Sequence, residues 1–237
     1  MPISANAVVL RASYEEATFI LSAYMQRVVD QARNAGFNVV DLYEADATQT
    51  KLFEALQQHD PLLVICAGHG GESVFTGQNG EHIFEACTND EVMSGRQGIF
   101  HSCSTGVALG PSMVEKTAQW YAGWRADYLF MYDPEETNPL NDIYAKPFME
   151  CIIQPALTRV AGGGPSQMYS QTIALFNSKI SEWWNNSDPI AQEMITLLTH
   201  DRDNYMVTGV HTPALMGLNI VPLVLIGGLA YLVFGGF

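Results

Sequence analysis

The sequence predicts an α/β fold built on a mostly parallel sheet. Two short apolar runs, residues 62–67 and 98–102, are each bounded by turn residues, which is typical of strands buried on both faces of a sheet. The first half of the chain also alternates strand-like and helix-like segments in the order βαβαβ. That order favours parallel strands joined by right-handed crossovers, and 237 residues suffice for one such domain and an appendage.

The elements of the first half follow from the spacing of apolar residues. Short apolar or alternating runs indicate strands, and a 3.6-residue period that ends at Gly36 indicates the first helix. In order, the predicted elements are a strand at 7–10, a helix at 14–34, a strand at 37–43, a helix at 50–58 and a strand at 61–67.

The segment between the two apolar runs is rich in Gly, Asn and Glu. Weak strand signals at 73–76 and 82–85 predict a hairpin or flap over a site, followed by a helical turn at 89–94. After the fourth strand at 98–102, Pro111 suits the first turn of a helix that we expect to include 112–124. The remaining predicted elements are a fifth strand at 126–132 and helices at 143–161, 166–184 and 189–199.

Three regions follow from this reading: an α/β domain at 1–160, a helical extension at 161–211 and a tail at 212–237. From Asn204 to Phe237 the chain has no Asp, Glu, Lys or Arg. A helix that begins at Pro213 would reach roughly 37 Å, enough for the ~30 Å hydrocarbon core of a bilayer. We expect a transmembrane helix that anchors the protein by its tail, with the soluble domain in the cytosol. The alternative is a buried C-terminal hairpin, which Pro222 and the glycine pairs would allow.

Composition limits the partners. The formal net charge of −14 and the scattered Lys and Arg residues argue against a nucleic-acid surface and favour protein or peptide substrates. The four cysteines are irregularly spaced, which is unlike a secreted disulfide framework, and the N-terminus lacks the pattern of a secretory signal. Small residues in the tail could also allow homo-oligomers; they are Gly217, Gly227, Gly228, Gly235 and Gly236.

Two turns carry the reactive side chains. His69 follows the third predicted strand and Cys103 follows the fourth. Because the carboxyl ends of neighbouring parallel strands border one crevice, the turns would bring an imidazole and a thiol together. An imidazole and a thiol are the two groups that a cysteine nucleophile with a general base requires. The N–H groups of Gly70 and Cys103 are candidate oxyanion donors. The alternative for a single Cys at a strand end is burial without reactivity.

These residues resemble a known superfamily. The run Ala-Gly-His-Gly at 67–70 and the run His-Ser-Cys-Ser-Thr-Gly at 101–106 resemble, in order and strand context, the two signatures of the caspase-like (clan CD) cysteine peptidases. That superfamily holds caspases, metacaspases, gingipains, separase and the CHAT proteases. The local match is strongest to the CHAT and metacaspase blocks, and the resemblance covers about residues 7–133.

The resemblance implies a caspase-like three-layer sandwich and an endopeptidase with a His69–Cys103 dyad. It also implies a thioester acyl-enzyme and no metal or organic cofactor. Metacaspases carry Asp two residues before the nucleophile, where this chain has His101, so the motif does not secure specificity for Arg or Lys. We expect His101, Ser104 and Asp133 to contact substrate.

Acidic side chains near the flap and the fifth strand favour a specificity pocket for Arg or Lys, because a desolvated carboxylate pairs well with a guanidinium. The alternative is that these carboxylates only solubilise the surface. The residues are Glu72, Glu81, Glu85, Asp90, Glu91, Asp127, Asp133, Glu135 and Glu136.

Two other functions compete with the peptidase. A zinc site is one, because Cys66 and His69 have a ligand-like spacing. The further candidate ligands are His82, Cys87, His101 and Cys103. The other is a catalytically inactive caspase-like scaffold, or assembly subunit of a membrane complex, in which both residue types are present and the crevice is closed.

Overall fold

The computed structural model describes residues 6–209 and the backbone of residues 231–233. The strands are β1 Asn6–Arg11, β2 Asn38–Tyr43, β3 Leu63–Ala67, β4 His69–Gly70, β5 Val74–Thr76, β6 His82–Glu85, β7 Gln97–His101, β8 Trp120–Trp124, β9 Leu129–Met131, β10 Tyr205–Gly209 and β11 Tyr231–Val233. The helices are α1 Glu16–Asn34, α2 Gln49–His59, α3 Leu109–Glu115, α4 Ala145–Val160, α5 Pro165–Trp184 and α6 Ala191–Asn204.

Six strands form the central sheet in the order β10-β8-β7-β3-β1-β2. The five strands from β8 to β2 are parallel to one another, and β10 joins the edge antiparallel to β8. The predicted mostly parallel sheet is therefore confirmed. The predicted flap is a small antiparallel sheet in the order β4-β5-β6.

Helices cover both faces of the sheet, which gives three layers. Val9 and Ile65 face the larger apolar cluster with α1 and α4, whereas their neighbours Val8 and Val64 face a second cluster with α2 and α3. Successive side chains of a strand point to opposite faces, so one run of apolar residues fills both clusters. Both faces of β1 and β3 are thus buried, and the ends of these strands remain as places for polar chemistry.

The helix predicted at 112–124 is wrong over its second half. Helix α3 ends at Glu115, Thr117 has a positive φ of 72°, and residues 120–124 form strand β8 instead. All five residues of β8 are buried. A strand buried on both faces lacks polar alternation, so the apolar spacing fitted a helix as well as a strand.

The fifth sheet strand predicted at 126–132 is also corrected. Residues Leu129–Met131 form β9, which pairs with β11 and lies outside the six-stranded sheet. The place expected for it is taken by β8, whose Trp120, Tyr121 and Trp124 are large aromatic side chains that suit a buried strand.

The predicted helices of the second half are observed as α4, α5 and α6, and β10 was not predicted. The segment 161–211 supplies Met168, Phe176, Leu197 and Tyr205 to the larger apolar cluster. It also completes the edge of the sheet through β10, so the described part of this segment shares one core with the α/β layers.

The predicted transmembrane segment lies outside the described residues, except for the backbone of Tyr231–Val233. Those three residues form a strand rather than the expected helix, paired with Leu129–Met131. Within the described part of the chain, no helix is both long enough and apolar enough to cross a bilayer.

Candidate active site

The turns that follow β1, β3 and β7 lie side by side at the carboxyl ends of these strands. Arg11 of β1, Ala67 of β3 and His101 of β7 are level in register, and the Gly68 N–H donates to the carbonyl of His101. The chain runs from β1 outward to β2 and returns to β3 on the other side, so the strand order reverses between β1 and β3. The carboxyl ends at such a reversal are where open α/β sheets bind ligands.

His69 is held by a carboxylate from the β1 turn. Its Nε2 lies 3.1 Å from Oε1 of Glu15, and its side chain is 12% exposed. The ring of Tyr14 meets the imidazole edge to face at 6.0 Å. If Nε2–H donates to Glu15, a neutral imidazole carries its lone pair on Nδ1, which is the form that a general base requires.

Glu15 is strongly acidic because several groups donate to it. Burial acts to raise its pKa, but hydrogen bonds from His69 and from the N–H groups of Thr18 and Ala17 outweigh burial and lower the pKa to about 2. The same carboxylate caps the N-terminus of α1. Glu15 is therefore a fixed negative charge beside His69.

Sequence reasoning missed Glu15. A pattern in the sequence could have pointed to it, because Glu15 and Thr18 form a capping pair at the start of the first helix, directly after strand β1. Because β1 neighbours β3, a carboxylate in the turn after β1 lies at the same end of the sheet as His69. The missing information was the strand order, which places the β1 turn beside the β3 turn.

The His69 turn and the Cys103 turn are in close contact through Gly70. A Cβ at Gly70 would lie 2.5 Å from the carbonyl oxygen of Cys103 and 2.8 Å from Cγ2 of Thr105. The carbonyl of Glu72 then accepts from the N–H of Leu109 at the start of α3. The two turns thus approach each other closely at Gly70.

Cys103 is fully buried, with 0% exposure. Its Sγ accepts a hydrogen bond from the Tyr128 N–H at 3.1 Å. Burial raises the pKa of the thiol well above its usual value, and the carboxylates of Asp127 and Asp201 add to that effect, against the Tyr128 N–H, which lowers it. The described state therefore holds a protonated thiol and not a thiolate.

Hydrogen bonds between side chains hold the Cys103 turn in place. Thr105 Oγ1 accepts from the Tyr121 hydroxyl at 2.7 Å and lies 2.9 Å from Ser102 Oγ. Ser104 has a positive φ of 53°. A non-glycine residue in that region stores backbone strain, and such residues are common at functional turns.

Residues 125–128, here called the covering segment, lie over the thiol. Ala126 O accepts from the Ser104 N–H at 3.0 Å, and Asp127 Oδ1 accepts from Ser104 Oγ at 2.8 Å. His200 Nε2 lies 2.9 Å from Asp127 O and ties the segment to α6. The covering segment is thus bonded to the Cys103 turn and to α6, and the Cys103 side chain also belongs to the larger apolar cluster.

The other predicted substrate contacts lie in different settings. Ser104 is at the turn as expected, but His101 is fully buried, and burial lowers its pKa to about 3 against an opposing effect of the Ile152 backbone. Asp133 accepts from the Glu135 N–H within the loop after β9. A fully buried His101 has no surface that faces a substrate.

The carboxylates near the flap lie in different settings. Asp90 is buried and pairs with Lys116 at 2.6 Å, so the solubilising role considered for it is wrong. A different acidic depression, of about 400 Å³, lies beside Glu15 and is also lined by Glu16, Glu44 and the half-exposed Phe19. It adjoins the histidine turn.

The zinc alternative gains no support from the side-chain positions. Among residues 6–209, no three His, Cys, Asp or Glu side chains lie close enough together to hold a metal ion. Cys66 is buried in the cluster under α2 and α3, whereas Cys103 lies in the cluster on the opposite face.

The six-stranded, mostly parallel sheet covered by helices on both faces fits a caspase-like fold. RgpB of Porphyromonas gingivalis, in the structure of a complex of its pro- and mature domains, is similar over 86% of this chain and 47% of that chain, with a TM-score of 0.53. RgpB is a gingipain, but at 8% sequence identity the likeness shows the fold alone. The match spans about half the length of that chain. No protein-family model and no curated protein matches this sequence.

Proposed function

We propose that the protein is a caspase-like cysteine endopeptidase that acts through Cys103, His69 and Glu15. The observation that carries the proposal is the hydrogen bond that His69 Nε2–H donates to the carboxylate of Glu15, in the turn next to the Cys103 turn. A nucleophile, a base and a group that orients the base are the three parts of an activated thiol site. The caspase-like fold agrees with this assignment.

The reaction would run in two steps. The Cys103 thiol transfers its proton to His69 while Sγ attacks the peptide carbonyl carbon, and the amine leaves with the proton that His69 held. A water molecule, deprotonated by His69, then hydrolyses the thioester and restores the thiol. The negative charge of Glu15 stabilises the imidazolium formed in each step.

The described state is closed, so the covering segment must move before catalysis. The Tyr128 N–H occupies the sulfur atom, and burial keeps the thiol protonated. A bound peptide favours the open state by as much as it binds that state more tightly. We therefore expect peptide electrophiles to reach Cys103 and small electrophiles to react slowly.

A basic substrate side chain fits the acidic depression beside the histidine turn. Glu15, Glu16 and Glu44 line it together with Phe19, which offers an apolar surface for the stem of a Lys or Arg. The net charge of −14 also favours basic peptides over acidic ones.

The second candidate is an inactive scaffold. The observation that favours it is the 0% exposure of Cys103 together with its raised thiol pKa. A structural cysteine is buried and unreactive, whereas a nucleophile is exposed to substrate and readily ionised.

Labelling with a peptide electrophile that ends in arginine separates the two functions. The peptidase predicts that wild type is modified at Cys103 and that Cys103→Ala and His69→Ala lose this labelling. Cys87→Ala is the matched control, because Cys87 is exposed and lies outside the site. Modification of wild type that does not depend on His69, or no modification at Cys103, supports the scaffold.

Membrane anchoring by residues 212–237 stays a prediction from the sequence. It rests on the uncharged, apolar composition of the segment. The pairing of Tyr231–Val233 with β9 favours the alternative in which the segment returns to the folded domain. Extraction of membranes with alkaline carbonate would decide between them. A full chain that stays in the membrane fraction would support the anchor, and a full chain that is released would support the alternative.

A further inference from the structure

Strand β9 leads directly out of the covering segment. The Tyr128 N–H donates to Cys103 Sγ, and the next residue, Leu129, begins β9. Among the described residues, the strand that pairs with β9 is β11, and the two form a sheet of their own. The segment over the thiol and the edge of a two-stranded sheet are therefore one continuous piece of chain.

The two edges of β9 have different hydrogen-bond partners. The Leu129 N–H donates to Asp201 Oδ1 of α6 at 3.0 Å. Backbone groups of successive residues alternate between the two edges of a strand. The Phe130 N–H and C=O therefore face the other edge, where Leu232 is the residue opposite. From this alternation we infer that Phe130 and Leu232 are the pair that exchanges both hydrogen bonds.

The register of β11 directs this edge toward the nucleophile. Tyr231 lies opposite Met131, and Val233 lies opposite Leu129. In the same antiparallel register, the next residue of any peptide on this edge comes opposite Tyr128, whose N–H meets Cys103 Sγ. A peptide strand on β9 would thus run with its carboxyl end toward the thiol.

We propose that the β9 edge is a binding site for an extended apolar peptide strand and that Tyr231–Val233 occupies it as a built-in competitor. Strand addition to an exposed edge takes its affinity from main-chain hydrogen bonds, which both an internal segment and a separate peptide can supply. Phe130 and Met131 are fully buried, so the strand that offers the edge is firmly packed.

The binding part of this proposal depends on backbone pairing alone. Its consequence for the thiol, that the internal segment keeps peptides from Cys103, rests on the proposed peptidase function. Two readouts on the same variants keep these parts separate: hydrogen exchange reports the pairing, and labelling with the peptide electrophile reports the reaction.

The test uses the full chain with Leu232→Pro and with Leu232→Ala as the matched control. Proline removes the N–H at the paired position and alanine retains it. In residue-resolved hydrogen exchange, we expect the Phe130 amide of Leu232→Pro to exchange at least about tenfold faster than in wild type. The Leu129 amide, held by Asp201, should keep its protection, which shows that the domain remains folded.

A synthetic peptide of residues 229–234 with a lysine tail for solubility should restore the protection of Phe130 in Leu232→Pro. Unchanged Phe130 exchange in Leu232→Pro, or no rescue by the peptide, overturns the binding site. Faster exchange together with about tenfold faster labelling of Cys103 supports both parts. Faster exchange with no labelling of Cys103 in any variant retains the strand site and removes the peptidase function.

Discussion

The amide nitrogen of Tyr128 lies 3.1 Å from the sulfur atom of Cys103, and this contact defines the state of the site. A hydrogen bond from a main-chain N–H to the sulfur favours the thiolate, but burial and the nearby carboxylates outweigh it and raise the pKa of the thiol. The residue placed to act as nucleophile is thus held in its protonated, unreactive form by burial and by the carboxylates of Asp127 and Asp201, against the Tyr128 N–H.

The first prediction concerns the order in which cysteines react. In the native chain, iodoacetamide should modify the exposed Cys87 first, whereas Cys103, Cys66 and Cys151 should react only after denaturant is added. Burial raises the pKa of each of the three buried thiols and also blocks the reagent. Peptide mapping by mass spectrometry measures the order. Native Cys103 that reacts as fast as Cys87 would contradict the closed state.

The second prediction concerns the contact between the two turns. Gly70→Ala should destabilise the fold by about 1–3 kcal/mol, because the new Cβ would collide with the Cys103 carbonyl oxygen at 2.5 Å. Gly71→Ala is the control, since its Cβ would meet Val74 at an ordinary 3.5 Å. Urea denaturation compares the two variants. Equal stability of the two would show that the turns are not in contact.

The third prediction is an acid dependence carried by Glu15. Its pKa of about 2 lies below the ordinary value of 4.5, so its contribution to stability is complete above pH 4.5 and is lost as the pH falls toward 2. Wild type should therefore exceed Glu15→Gln in free energy of unfolding near neutral pH, by up to about 1 kcal/mol. The difference should shrink over that window.

Glu16→Gln is the matched control for this acid effect, because it removes an exposed carboxylate from the same end of α1. Urea titrations of wild type, Glu15→Gln and Glu16→Gln between pH 4.5 and pH 2 measure the effect. A gap between wild type and Glu15→Gln that is constant with pH would contradict the proposed charge on Glu15.

The fourth prediction concerns His101. Burial lowers its pKa to about 3 from 6.5, so the unfolded chain binds a proton there more readily than the folded chain. The stability linked to a neutral His101 is present above pH 6.5 and is lost as the pH falls toward 3. His101→Leu should therefore lose less stability than wild type across this range. Urea titrations of wild type and His101→Leu across this range measure the effect, and a His101→Leu curve parallel to that of wild type would refute the argument.

The candidate dyad could be found from the sequence because it depends on local patterns. His69 and Cys103 each follow an apolar run with turn residues, and strands β3 and β7 were identified by length and flanking glycines. Glu15 could not be assigned to the site in the same way. Its role depends on β1 lying next to β3, and strand order is a property of the whole chain.

The errors share one physical cause. Residues 120–124 are apolar throughout, so neither a period of 2 nor a period of 3.6 was distinctive, and burial between two layers decided in favour of a strand. In the same way, Leu129–Met131 was identified as a strand, but its partner, 100 residues later in the chain, could not be found by local reasoning.

The sequence by itself determined the α/β class, the two strand-end turns and the kind of side chain that each turn carries, because these depend on residues close together in the chain. The tertiary structure alone decided that Glu15 holds His69, that the Tyr128 backbone closes over Cys103 and that β11 pairs with β9. Each of these contacts joins residues at least 25 positions apart. Long-range packing brings such residues together, and no local periodicity records it.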